Sequence, residues 1–195
     1  SILYAVAAAK LAVKDASLDI GTLDLDRTGI YEGTSVSGLD NTLDAHSDFV
    51  AHGYRSIKPY NLINAYFGGA SSEIALELGI HGQATTICTA CSAGNDAIGY
   101  AVQAIRDDLG DVMIAGASEA PLVDGYWSIF SAAGVMTREM DNPAVAMKPF
   151  DRRRDGFVLG EGSAFFVLEE LSHALSRGAH IYAEIIGHGQ SCAAH

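Results

Sequence analysis

The residues with the most chemical potential gather in one run, ATTICTACSAGNDAIGYAVQAI, from Ala84 to Ile105. Cys88 and Cys91 form a CxxC within it. A structural zinc site needs two further soft ligands at sensible spacing. The third cysteine, Cys192, lies near the far end of the chain, and neither a second CxxC nor an HxxxH occurs. Thr89–Ala90 between the cysteines is also unlike a redox dithiol, so neither a metal nor a disulfide is expected. A nucleophile fits better. A β-rich strand, ATTIC, runs into a tight turn carrying Cys91, and a helical run begins at Ser92. A cysteine there faces amides without intrahelical acceptors and the positive end of the helix dipole, both of which favour thiolate over thiol. The Cys91 N–H itself can serve an oxyanion hole. Small neighbours (Ala90, Ser92, Ala93, Gly94) leave room for a bulky group. Cys88 belongs to the strand and is expected to be shielded. Against this stands the plain reading of Cys91 as a small buried residue, which for an isolated cysteine is the commoner case.

The elements that would position Cys91 alternate between helix and strand. Residues 2–15 read as an amphipathic helix, GIYEG (29–33) as a short strand, and 39–51 and 62–78 as helical, the latter weakened by Gly68–Gly69. In 92–109, Ala97, Ile98, Ala101, Val102, Ile105 and Leu109 recur at helical spacing. DVMIAGA (111–117) is a strand with few charges, as in a sheet covered on both faces. An aromatic-rich helix is expected over 124–133, an irregular stretch over 138–162, strands at 163–169 and 181–187, and a short helix at 171–177. The order argues for a layered α/β fold.

Composition narrows the partners. The 195 residues are 49% hydrophobic and suit one domain, or one lobe of a larger one. Twelve basic against 24 acidic residues give a net charge of −12, which would repel nucleic acid. No apolar run approaches the roughly 20 residues that span a bilayer, so no membrane partner is expected. The opening SILYAVAAAKLAVKDA lacks a basic leader region and reads as a helix entered in mid-protein. Three cysteines suit a reducing compartment, and cytoplasmic is the default. The ends at Ser1 and CAAH look truncated.

Several motifs in order carry a family resemblance. TACSAG (89–94) resembles the active-site motif of the elongating β-ketoacyl-ACP synthases of the thiolase superfamily. GDVMIAG (110–116) is similar to that family's next strand, KPFDRRRDGFVLGEGSAFFVLEE (148–170) to its signature loop and following strand, and HIYAEIIGHGQS (180–191) to the strand beyond. The resemblance implies a thiolase-like αβαβα fold, of which residues 1–195 are the N-terminal half with a mixed five-stranded sheet. It implies Cys91 as the acyl-carrying nucleophile of a decarboxylative Claisen condensation with malonyl-carrier, in fatty-acid or polyketide synthesis. It implies acyl carrier protein as partner, a homodimer paired near ATTIC or 62–78, and no cofactor. The family's two catalytic histidines and its lysine lie in its C-terminal half; His81, His173, His188 and His195 do not match their motifs. The chain alone is therefore expected to be inactive.

Secondary positions follow from the same resemblance. Phe130 falls where an aromatic lines the acyl pocket, Val36 near the turn at the pocket's far end, and Tyr126 where some relatives have a small residue. Phe130 and Val36 are each equally readable as core. Pointing into the tunnel, Tyr126 would shorten the acyl chain accepted. Arg55 and Lys58 fall in the segment that helps dock the acidic carrier in relatives; solvated loop charge is their plain reading. The arginine before Asp155 reads as a loop anchor, and Gly156, Gly160 and Gly162 as turn residues rather than a nucleotide loop. Two other functions compete. A cysteine hydrolase elbow requires small residues, usually glycine, two places either side of the nucleophile, where this chain has Thr89 and Ala93. A non-catalytic ketosynthase-like partner subunit would lack the cysteine.

Overall fold

Ala5, Ala9 and Val13 stand four residues apart and are buried, so Ile2–Asp15 folds as helix α1 with one small apolar face down and Lys10 and Lys14 outward. The computed structural model, which describes residues 1–194, continues through β1 (Thr28–Gly33), α2 (Leu39–His52), α3 (Asn61–Asn64), α4 (Gly69–Leu78) and β2 (Ala84–Ile87). A 3₁₀ turn at Ala90–Ser92 leads into α5 (Ala93–Arg106), followed by β3 (Val112–Glu119), α6 (Asp124–Ala132), β4 (Gly162–Glu169) and α7 (Leu171–Ser176).

The four strands form a mixed sheet in the order β2-β1-β3-β4. β1 runs parallel to both β2 and β3, and β3 pairs antiparallel with β4 from Val112 opposite Glu169 to Glu119 opposite Gly162. Parallel neighbours need crossover connections, and helices supply them. α1 and α4 cover one face, where Ile30, Val112, Ile114 and Phe165 meet Ala5, Ala9 and Ile74. α5 covers the other, laying Ala97, Ala101 and Ala104 against Tyr31, Met113 and Ala115. Each fully buried isoleucine contributes roughly 1.5–3 kcal/mol. Both faces being covered explains the near-continuous apolar run of β3.

The helix expected over 62–78 is interrupted, with α3 ending at Asn64 and α4 starting at Gly69. The larger correction is the sheet, which has four strands where five were expected. The segment 181–187 is not a strand. It lies along α5 instead of beside a free sheet edge, and the carbonyls of Ile185 and Ile186 accept from Arg106 Nη2 at 3.3 and 3.1 Å. With its acceptors engaged by a side chain and no neighbouring strand, it has no ladder to join.

The topology determines where a site can form. β1, β2 and β3 all point their C-terminal ends the same way, and the long excursion from β3 to β4 starts and returns at that end. In open α/β sheets this is the end at which ligands bind.

Candidate active site

Cys91 is exposed and lies in the 3₁₀ turn between β2 and α5. The residue before it, Ala90, has φ +55°, a left-handed conformation that costs roughly 1–2 kcal/mol for a residue with a Cβ. A carboxylate braces this turn. Thr89 Oγ1 donates to Asp96 Oδ2. Ser92 Oγ lies 3.1 Å from the same oxygen and 2.9 Å from the Thr89 carbonyl. Asp96 is 6% exposed and stands in the first turn of α5, where the helix dipole favours an anion. Hydrogen bonds from Thr89 and then from Gln190 hold its carboxyl below the usual range. The His188 Nε2 lies 3.7 Å from Asp96 Oδ1. The His188 ring covers Gly99, where a Cβ would overlap it.

Close approach at the end of β1 completes the elbow. A Cβ on Gly33 would collide with the Ala93 carbonyl, so only glycine lets β1 meet the start of α5 there. The β1–α2 loop that follows is tied down by Glu119 at the end of β3. Its carboxylate accepts from Ser35 N at 2.7 Å, Thr34 Oγ1 at 3.1 Å and Val36 N at 3.3 Å.

Around these elements lies a cleft of about 630 Å³ lined by Gly33–Val36, the turn at 90–94, the end of β3, Tyr126 and Phe130 of α6, Phe157 and Leu159, and the start of β4. The size is that of a small-molecule pocket. Tyr126 and Phe130 stack at 5.8 Å between centroids, and Phe130 meets Phe157 edge-on at 5.4 Å. Burial pushes the Tyr126 phenol up from its ordinary value. The loop that delivers Phe157 is pinned by a bridge to Met136, with Asp155 accepting from Thr137 Oγ1 at 2.7 Å and Arg138 N at 2.9 Å. Arg153 pairs with Asp151 at 2.9 Å and Arg154 donates to the Asp151 carbonyl, so both act within the loop.

The sequence-predicted residues divide into two groups. Cys91, Val36, Tyr126 and Phe130 come together in the cleft. Arg55 and Lys58 are on an exposed stretch beyond α2, each above a neighbouring ring: Arg55 over Tyr54 at 5.8 Å and Lys58 over Tyr60 at 5.7 Å. Cys88 was expected to be shielded within the strand, but β2 ends at Ile87 and Cys88 lies just beyond it, exposed; its thiol reaches the Ser35 carbonyl at 3.6 Å. Among the described residues no histidine or lysine lines the cleft. His81 faces Asp26, His173 pairs with Glu169, and His195 lies outside the described residues. No cluster among the described residues is arranged to hold a metal, and no helix is long and apolar enough to cross a membrane. Asp96, Glu119 and Phe157 were missed in the sequence. Asp96 had a signal: an acid one helical turn beyond Ser92 in a run of small and apolar residues.

A cysteine at a strand-to-helix elbow, over a sheet with helices on both faces and an apolar cleft at the strand ends, is the arrangement of a thiolase-like protein. The chain belongs to the β-ketoacyl synthase family: residues 1–174 match the N-terminal domain of that family. It is 43% identical over 190 residues to the tetracenomycin polyketide synthase ketoacyl synthase alpha subunit of Streptomyces glaucescens, covering 94% of this chain and 44% of that protein. It is 37% identical to 3-oxoacyl-[acyl-carrier-protein] synthase 2 of Staphylococcus aureus, covering 95% of this chain and 46% of the relative. Among solved structures, the ishigamide ketosynthase/chain length factor superposes with TM-score 0.89 at 35% identity, covering 98% of this chain and 46% of that one. A ketosynthase in complex with its type II polyketide synthase acyl-carrier protein, bound to the hexaketide, superposes with TM-score 0.88 at 35% identity, over 93% of this chain and 46% of that one. The chain thus spans about half the length of the relatives it matches.

Proposed function

We propose that this chain is the nucleophile-bearing half of an acyltransferase that condenses an acyl thioester with malonyl-carrier. The reading is carried by one observation: Cys91 opens onto the same cleft as Val36, Tyr126 and Phe130. In the first half-reaction the Cys91 sulfur attacks the thioester carbonyl of the acyl donor. The carrier leaves as its thiol, and the acyl chain passes into the aromatic cleft. Malonyl-carrier then loses CO₂, and its carbanion attacks the acyl-Cys91 carbonyl and releases the thiolate. The groups that assist decarboxylation are assigned to a part of the protein beyond this chain, since the cleft among the described residues offers the nucleophile but no histidine or lysine. Fatty-acid and polyketide synthesis both fit, because the relatives named above come from both.

The acyl donor is proposed to be an acyl carrier protein, with Arg55 and Lys58 as an exposed basic contact on a strongly acidic chain. A homodimer is part of the same proposal, with β2 as its seam. That strand is an edge of the sheet, and Ala84 and Thr85 are exposed on it. A free edge invites a two-fold partner.

The test is to incubate the full-length protein with an acyl carrier thioester and locate the acyl group by peptide mapping. Acyl mass on the Cys91 peptide, absent in Cys91→Ala, is expected. An acyl group elsewhere, or none, refutes the reading. Sedimentation of the full-length protein as a strict monomer would refute the dimer.

A further inference from the structure

The turn that carries Cys91 combines an energetically unfavourable residue before the nucleophile with hydroxyls on both sides of it, and both hydroxyls reach one carboxylate. Thr89 Oγ1 and Ser92 Oγ meet Asp96 Oδ2, two residues before the cysteine and one after. Ala90, between Thr89 and Cys91, holds φ +55°. Such a conformation persists only where its surroundings over-determine it. Asp96 reaches both flanking hydroxyls from the first turn of α5. Its other oxygen faces His188, whose ring covers Gly99 on the same helix. Asp96 does not line the cleft, so it has no direct path to an acyl group.

We propose that Asp96 is a positioning residue for Cys91, fixing the nucleophile's direction by gathering Thr89 and Ser92 into one anchor. The inference rests on Cys91 being the acylated residue, as proposed above. It concerns placement: if Asp96 positions the turn, removing it slows the reaction by misdirecting the Cys91 sulfur. Near-attack geometry is steep, and a shift of about 1 Å can lower a rate on the order of 100-fold.

The experiment measures single-turnover acylation of Cys91 in the full-length protein by intact mass, with acyl carrier thioester as donor, at several pH values. Asp96→Ala is expected to lower the saturating rate about 10- to 100-fold with the half-saturating donor concentration unchanged, equally at neutral and alkaline pH. Asp96→Asn keeps an oxygen that accepts from both hydroxyls and should retain most of the rate. Thr89→Ala and Ser92→Ala should each give a partial loss, and neither should lower the rate further when Asp96 is already alanine. These two variants carry the test if Asp96→Ala does not fold. An unchanged or faster rate in Asp96→Ala overturns the proposal, as does full additivity with Thr89→Ala and Ser92→Ala, or a loss that disappears at alkaline pH. Wild-type protein that takes up no acyl group at Cys91 refutes the underlying reading instead, and this inference with it.

Discussion

Tyr126 stacks on Phe130 with 28° between the ring planes, and both rings line the cleft onto which Cys91 opens. The phenol is 7% exposed, so the ring occupies space that a smaller residue would leave empty. Tyr126→Ala should therefore extend the cleft, with Tyr126→Phe as a control that keeps the ring. Comparing acylation rates for a medium and a long acyl donor, the ratio should shift toward the long chain by about tenfold or more in Tyr126→Ala and hardly at all in Tyr126→Phe. The ratio is insensitive to the stability lost by truncating a buried ring, since both donors meet the same protein. An unchanged ratio would mean that another wall sets the length.

Glu32 lies in β1, an inner strand of the sheet, with no exposed surface. Burial pushes its carboxyl up to about 7; hydroxyls of Ser118 and Thr86, at 3.0 and 3.1 Å, oppose the shift and nearby Glu119 adds to it. The folded protein keeps this proton over a range in which the unfolded chain, with the ordinary value of 4.5, has lost it. The stability associated with neutral Glu32 is full below about 4.5 and is lost as pH rises through about 7. Glu32→Gln stays neutral and can still bond both hydroxyls. In denaturant titrations of the full-length protein it should match wild type near pH 4.5 and exceed it at pH 8 by up to about 3 kcal/mol. Equal stability of the two proteins at both pH values would show that the carboxyl is not held neutral.

The physics behind these two residues also explains what could be read from the sequence. The Cys91 elbow was legible because strand, turn and helix follow one another without interruption. The α5 periodicity and the apolar run of β3 were equally direct. Glu32 was not singled out, because an acid in an alternating strand reads as solvent-facing until both faces of the sheet are known to be covered. The missing fifth strand is a similar case. Residues 181–187 have strand composition, but strand formation requires a neighbour, and α5 with Arg106 takes that place. Glu119 was missed because its partners are distant in the chain, Thr34 being 85 residues away, and Asp96 because its role depends on the turn that brings Thr89 and Ser92 onto one carboxylate oxygen. Cys88 continues the β-rich run ATTIC in the sequence, and only the backbone shows that β2 ends one residue before it.

Arg55 and Lys58 offer a test of carrier docking that leaves the chemistry alone, since neither lines the cleft. Both are exposed, so an attraction to an acidic partner should be modest and sensitive to salt. Replacing both with alanine should raise the half-saturating concentration of acyl carrier protein several-fold at low ionic strength, with the difference shrinking as salt is added. Acyl transfer from a small soluble thioester should be unaffected. A variant equally impaired with the small thioester would show that these residues act on folding or the cleft instead of the partner.

The last prediction separates the two cysteines of the CxxC. Both are exposed, so access to a small reagent does not distinguish them. Their surroundings do: Cys91 lines the cleft, whereas Cys88 turns its thiol toward the Ser35 carbonyl. Acylation of the full-length protein should therefore protect Cys91 from iodoacetamide and leave Cys88 open to labelling. Cys88→Ala should retain most of the condensing activity, because Cys88 lies beyond β2 and outside the cleft lining, and alanine removes only a weak sulfur hydrogen bond. Cys91→Ala should abolish both acylation and condensation, since no other thiol lines the cleft. Cys91→Gln should lose condensation but keep decarboxylation of malonyl-carrier, as that step forms no bond to the sulfur. Protection that falls on Cys88, or condensation that survives Cys91→Ala, would transfer the nucleophile's role away from Cys91.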